Sequence, residues 1–141
     1  MPYTMLLARV QRLAVREFSA APELTFEEFE QRLGLELFGK DRSAAAVSDT
    51  LALQEIWVRD SDWYWPTPLL DPELFRQRAA HMNWSSGKLA EYRQALATIR
   101  SIAERHKTSH NPAEQELQRL ATEVLQRWKG KDPERSEAQR R

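Results

Sequence analysis

Ile56 to Pro68 reads IWVRDSDWYWPTP, and it holds three of the five tryptophans and one of the three tyrosines of the chain. Trp57, Trp63, Tyr64 and Trp65 offer flat faces with polar edges. Such faces stack on sugar rings, on bases or on each other. Asp60 and Asp62 are spaced i, i+2, so in an extended strand they would share a face. Paired carboxylates are what glycoside hydrolysis uses. Asp-Ser-Asp is also ordinary turn chemistry, so no catalytic residue is assigned. These six residues form the candidate binding surface. The competing reading is a loop that its own aromatics pin to the helices.

Other chemistry is sparse. The chain has no cysteine and three histidines. Disulfides, thiol catalysis and cysteine-based zinc sites are therefore excluded. His106 and His110 are four apart, but a helix end falls between them, and no HExxH motif occurs. They read as exposed surface histidines, and His81 reads as a partner for the last carbonyls of a helix. No metal site is expected. There is no GxSxG, GxGxxG, P-loop or EF-hand loop. The four glycines are isolated: Gly34 and Gly130 read as helix stops, Gly39 and Gly87 as connections. No cofactor is expected.

The elements that must position the aromatic stretch are helical. Gly is scarce while Ala, Leu, Glu, Gln and Arg are common, which favours helix over most of the 141 residues. Thr4 caps a first helix running to about Ala20, with Leu6, Leu7, Val10, Leu13, Ala14 and Phe18 on its apolar face. Thr25 and Glu28 make a capping box, and Leu24 and Phe29 a hydrophobic staple. Phe26, Phe29 and Leu33 are the expected buried side, with Gly34 as the stop. LELFGKDRS reads as a bend anchored by Leu35, Leu37 and Phe38. Ser43 or Asp41 starts a third helix with a stripe of Val47, Leu51, Gln54 and Val58, flanked by Ala46, Leu53 and Trp57. Asp71 caps a fourth with Pro72 at its first position, and Leu70 and Phe75 as a second staple. It ends near Asn83. Ser85 or Ser86 opens a long helix to about Lys107. Asn111 and Pro112 open the last, which carries Leu117, Leu120, Ala121, Val124, Leu125 and Trp128. The final pair is an αα-hairpin.

The expected architecture is all-α: about six helices in an orthogonal or bundle arrangement, with at most one small β-hairpin near 56–65. Residues 1–129 form one helical domain. Residues 130–141 (GKDPERSEAQRR) carry a single small apolar residue, an alanine, and read as a flexible charged tail.

Twenty-one basic residues balance twenty-one acidic ones, so no strong nucleic-acid field arises from the whole domain. A winged-helix reading is available all the same. LTFEEFEQRLGL resembles the first helix of a helix-turn-helix, Ser43–Leu53 would read the groove, and EIWVRDSDWYW would be the wing. That reading helix carries no Lys or Arg and includes Asp49, and the wing sets Arg59 against Asp60 and Asp62. DNA affinity needs several phosphate contacts, so nucleic-acid binding is not expected. Arg9, Arg12 and Arg16 interrupt the apolar start. No run reaches the ~20 residues of a membrane span, and no secretory signal is recognised. A cytoplasmic location is the default and no membrane partner is expected. The basic groups Arg119, Arg127 and Lys129 are diluted by Glu116, Glu123, Glu134 and Glu137 and read as a solvated face.

Residues 7–60 resemble the helical region that follows the catalytic barrel of bacterial hexosaminidase-like glycoside hydrolases. The match is carried by Pro22, Leu24, Thr25, Glu27, Glu28, Phe29, Leu37, Phe38 and Gly39. The chain is too short for a (β/α)₈ barrel of ~250 residues. The resemblance therefore implies an accessory part without the catalytic half, and no catalytic residue is carried over. The leading functional expectation is a non-catalytic, all-α interaction module. It would pack on a protein partner or a larger parent enzyme, with carbohydrate as a second ligand. A homodimer through the C-terminal hairpin is a further expectation. The alternatives are a winged-helix transcription regulator and a small immunity or inhibitor protein.

Overall fold

The structure is a computed structural model and describes residues 5–61 and 67–133. It is all-helical, with six α-helices in chain order: α1 Met5–Ala20, α2 Phe26–Phe38, α3 Ala46–Val58, α4 Pro72–Met82, α5 Ser86–Arg105 and α6 Pro112–Arg127. A 3₁₀ turn at Pro68–Leu70 precedes α4. Among the described residues there is no strand. Ile56 to Val58, where a hairpin was expected to begin, belong to α3, and 62–66 lie outside the described residues. No helix among the described residues is long and apolar enough to cross a membrane.

The start signals of α2, α4, α5 and α6 act as their chemistry dictates. Thr25 Oγ1 accepts from the Glu28 amide at 3.1 Å while Glu28 Oε1 accepts from the Thr25 amide at 3.3 Å, which completes the capping box. Asp71 Oδ1 accepts from the Glu73 amide at 2.9 Å, and Ser85 Oγ from the Lys88 amide at 3.1 Å. Asn111 Oδ1 takes the Ala113 and Glu114 amides at 3.0 and 3.3 Å. Its Nδ2 donates to the Phe38 carbonyl at 2.7 Å, so the same side chain ties α6 to the end of α2. The expected cap of α1, Thr4, lies outside the described residues.

Three expectations fail. Gly34 does not stop α2. The helix runs through LELF to Gly39, whose φ of 76° and ψ of −165° suit a residue without Cβ. Gly34 is needed for close approach instead. A Cβ there would stand 2.7 Å from Arg42 Nε and 3.0 Å from Val47 Cγ2. The buried face of α3 is also turned from the expected stripe. It consists of Ala46, Asp49, Thr50, Leu53, Ile56 and Trp57, while Val58 is 47% exposed. Apolar residues lie all round this helix, so their period does not decide which side faces in. The polar residues on the inner side do, because each is satisfied there. Thr50 Oγ1 donates to the Ala46 carbonyl at 2.8 Å, and Asp49 is ion-paired. Phe26, also expected inside, is 59% exposed at the first turn of α2 and meets only the rim of Phe29, with ring centroids 6.3 Å apart.

α6 is the hub. It packs on α5, α2, α1 and the 3₁₀ turn. Leu117, Leu120, Ala121 and Val124 are buried along it, opposite Tyr92, Leu96, Ile99 and Ile102 of α5. The apolar stripes of the hairpin are thus used inside one chain. Its end is fixed twice to the 3₁₀ turn: Trp128 Nε1 donates to the Leu69 carbonyl at 2.6 Å and Arg127 Nη1 to the Leu70 carbonyl at 2.9 Å. The first four residues of the expected tail are described, and Pro133 is buried, so the chain stays on the body to that point. Residues 134–141 lie outside the described residues.

The reassignment of the two glycines has a direct check. Gly39→Ala places a Cβ at a backbone conformation that only glycine adopts freely, and should lower stability by about 1–3 kcal/mol. Gly34→Val should cost a similar amount, about 1–3 kcal/mol, by overpacking against Arg42 and Val47. Urea denaturation of both variants measures this. Loss of stability in the Gly39 variant with none in the Gly34 variant would show that the close approach is absent.

Candidate functional site

α3 delivers Trp57 to the interior, where it is 1% exposed. The chain leaves α3 through Arg59 and Asp60 and returns at Thr67, whose amide donates to the Trp57 carbonyl at 3.0 Å. This bond clasps the segment between them at its neck. Asp62, Trp63, Tyr64 and Trp65 lie outside the described residues. The Trp57 indole Nε1 is buried, and among the described residues it has no hydrogen-bond partner.

Asp60 is the pivot of the exit. It adopts a left-handed conformation with φ of 52°, which Asp tolerates better than most residues. Lys88 Nζ pairs with its Oδ2 at 2.7 Å, the Tyr92 hydroxyl donates to the same oxygen, and Arg78 Nη1 donates to its carbonyl at 3.0 Å. Burial works to raise the Asp60 carboxyl, but Lys88 and Tyr92 outweigh it and hold it below its ordinary range. Burial, and then the bond to Asp60, push the Tyr92 hydroxyl up, which keeps it a donor. Lys88 also sits over the rings of Trp84 and Tyr92, at 5.4 and 5.7 Å from their centroids. Those two rings stack at 5.4 Å and 14°. Phe75 meets Trp84, Tyr92 and Trp128 edge-on at 5.5, 5.0 and 5.3 Å. Asp60 is thus a clamped structural carboxylate, engaged on both its side chain and its carbonyl.

Beside this exit runs an open groove of about 570 Å³. Leu74, Gln77, Arg78, His81 and Met82 of α4 line it, and Trp84, Asp60 and Ser61 close its ends. Met82 is 60% exposed. The groove combines a thioether, an indole and an aliphatic side chain with polar groups at its edge. That is the composition of a contact surface.

A second cluster escaped the sequence reading. His106, expected at the surface, is buried at the end of α5. Its Nε2 lies 2.7 Å from Asp49 Oδ2 and its Nδ1 2.8 Å from Glu114 Oε1. Arg105 binds Asp49 with both Nε and Nη2, at 2.9 and 2.6 Å. Ser43 donates to Glu114 with its hydroxyl at 2.6 Å and its amide at 3.2 Å. Burial alone would raise both carboxyls. Arg105 and His106 reverse this for Asp49, and Ser43 and His106 reverse it for Glu114, so both lie below their ordinary values. The two carboxylates sit on opposite sides of the imidazole. Among the described residues no group of three His, Cys, Asp or Glu side chains is placed to hold a metal ion.

The signal for this cluster lay in the spacing. His106 continues the stripe of Ile99 and Ile102, and Glu114 precedes Leu117, Ala121 and Val124 at intervals of three and four. Asp49 sits between Ala46 and Leu53 in the same way. Polar residues at core positions announce a buried partner.

No family model, curated protein or solved structure matches this chain.

Asp49→Asn leaves Arg105 and His106 without their carboxylate and should cost about 3–5 kcal/mol, the range for breaking a buried ionic group by removing one partner. Arg105→Gln, which acts at the solvent edge, should cost less. Denaturant titration ranks the two. The pH dependence has a definite sign. Both carboxyls are depressed in the folded state, so their stabilisation is complete above the unfolded carboxylate range. It is lost as pH falls below about 4, toward the folded values. Stability curves between neutral and acid pH should fall in that window, and fall less steeply for Asp49→Asn. A parallel decline in both proteins would show that Asp49 is not the titrating support.

Proposed function

We propose that this chain is a non-catalytic all-α interaction module whose contact surface is the aromatic segment that follows Asp60, with Asp62, Trp63, Tyr64 and Trp65, together with the groove on α4. The observation that supports it is the juxtaposition of the two. A segment dense in aromatics is held at its neck by Thr67 and Trp57, and the groove of about 570 Å³ opens directly beside its exit at Asp60. Loops held on a rigid scaffold are where recognition concentrates. The charged clusters at Asp60 and His106 are tied into the helices by short contacts, which suits a scaffolding role better than acid–base work. The partner we infer is a protein surface. A carbohydrate-active enzyme is the specific version that the resemblance of residues 7–60 suggests. The residues carrying that resemblance serve here as cap and core: Thr25 and Glu28 form the box, Leu24, Phe29, Leu37 and Phe38 are buried, and Gly39 ends α2.

The winged-helix alternative asks α3 to read DNA. α3 carries no Lys or Arg, and its Asp49 is turned inward.

A photo-crosslinking side chain placed at Met82, with Val15 on α1 as the exposed control, tests the proposal in cells that make the protein. The Met82 position should capture a partner that the Val15 position does not. Trp63→Ala and Trp65→Ala should reduce that adduct at least about tenfold, the effect of losing one anchor residue, while circular dichroism stays unchanged. Equal capture at both positions would overturn the reading. So would unfolding of both tryptophan variants, since the aromatics would then be core. Salt-sensitive binding of duplex DNA at low ionic strength would favour the alternative.

A further inference from the structure

The chain as a whole is neutral, but its positive charge is unevenly used. Arg16, Arg32, Arg59, Arg76, Arg105 and Arg119 are each paired with a carboxylate. A different situation holds where the end of α6 crosses α5. α6 closes at Trp128, and Gly130, with φ of 77°, turns the chain so that the Lys131 amide reaches the Trp128 carbonyl at 2.9 Å. This turn brings Lys131 to the rim of a groove of about 400 Å³ between the two helices. Arg100 of α5 lies on the same rim, as does Lys129. Leu96, Leu125 and Trp128 form its apolar floor. No carboxylate lines it, and among the described residues none of the three cations has an ion-pair partner. Asp132, next in the chain, does not line the groove.

Lys129 and Lys131 alone would have a plain explanation, since cations favour the C-terminus of a helix. Arg100 has no such reason. It sits within α5, at the solvent edge, where the groove offers it like charges, an apolar floor and the uncharged polar side chains of Thr122 and Gln126. Three cations that repel one another around apolar side chains make a surface complementary to anionic groups carried on an apolar segment. The groove is lined from both helices. Its chemistry differs from the α4 groove, whose edge carries the clamped Asp60.

We infer that the α5–α6 groove binds an acidic peptide segment that also carries aliphatic side chains, the carboxylates meeting Arg100, Lys129 and Lys131 and the aliphatic groups resting on Leu96, Leu125 and Trp128. The inference stands independently of the reading for the α4 groove, because no residue is shared. It supplies what a partner's second contact must look like: negative and apolar together.

The intact chain should be titrated into a short fluorescent peptide of alternating glutamate and leucine. Comparison probes are the same peptide with glutamine for glutamate, a poly-aspartate peptide, a DNA duplex and vesicles of anionic phospholipid. The glutamate–leucine peptide should bind at least about fivefold more tightly than the glutamine and poly-aspartate peptides. Its affinity should fall as salt rises from about 0.05 to 0.3 M, as rim charges are screened. Arg100→Glu with Lys129→Glu should weaken it at least about fivefold. Arg100→Gln with Lys129→Gln, which introduces no repulsion, should weaken it in the same direction if the reversed variant is misfolded by circular dichroism. Trp63→Ala should leave the affinity within about twofold, which separates this groove from the other surface. The inference is overturned if the glutamine peptide binds as well, if the neutralised variant binds as the parent does, or if DNA or vesicles bind in preference to the peptide.

Discussion

The histidine between two carboxylates is the constraint on which the rest of the helical body depends. His106 ends α5, Asp49 lies in α3, Glu114 is in the first turn of α6, and Ser43 belongs to the connection between α2 and α3. One imidazole therefore fixes the mutual position of the helices on either side of the hub. Apolar packing alone would let α3 roll, because it is apolar all round. The ionic contact permits one rotation only. The same rotation turns Trp57 inward, so the point where the chain leaves α3, at Asp60, follows from a network remote from it in sequence.

The second fixed point is aromatic. Phe75, Trp84, Tyr92 and Trp128 come from α4, the α4–α5 connection, α5 and the end of α6, and they meet edge-on or stacked. Tyr92 links this cluster to the exit of α3 through Asp60, and Trp128 links it to the 3₁₀ turn through the Leu69 carbonyl. Edge-to-face pairs of this kind contribute ~0.5–1.5 kcal/mol each beyond their burial. Both ends of the aromatic segment are therefore attached to one rigid cluster, at Asp60 through Tyr92 and at Leu69 through Trp128.

Much of this was legible in the sequence, because much of it is local. Caps at Thr25, Asp71, Ser85 and Asn111 act through atoms two or three residues away, and their side-chain chemistry determines them. The stripes of α5 and α6 follow from a period of three and four. What the sequence concealed were relations across the chain. Gly34 has the composition of a stop, and only the approach of Arg42 and Val47 shows that it is a contact. His106 looked exposed because a helix end lies beside it, yet Asp49, 57 positions away, is what draws it inside. Trp57 was grouped with the aromatics that follow it, while α3 carries it into the core. For His106 the partner is distant in sequence, and spacing carries no information about who will be met.

The bond between the Thr67 amide and the Trp57 carbonyl has an evolutionary implication. It makes the ends of the intervening stretch neighbours, so a stretch of another length could be closed at the same two points. Lengthening a closed loop is cheap: each doubling costs about 0.6 kcal/mol in closure entropy. The length of the stretch can then change at little cost to the two points where the chain leaves and rejoins the helices.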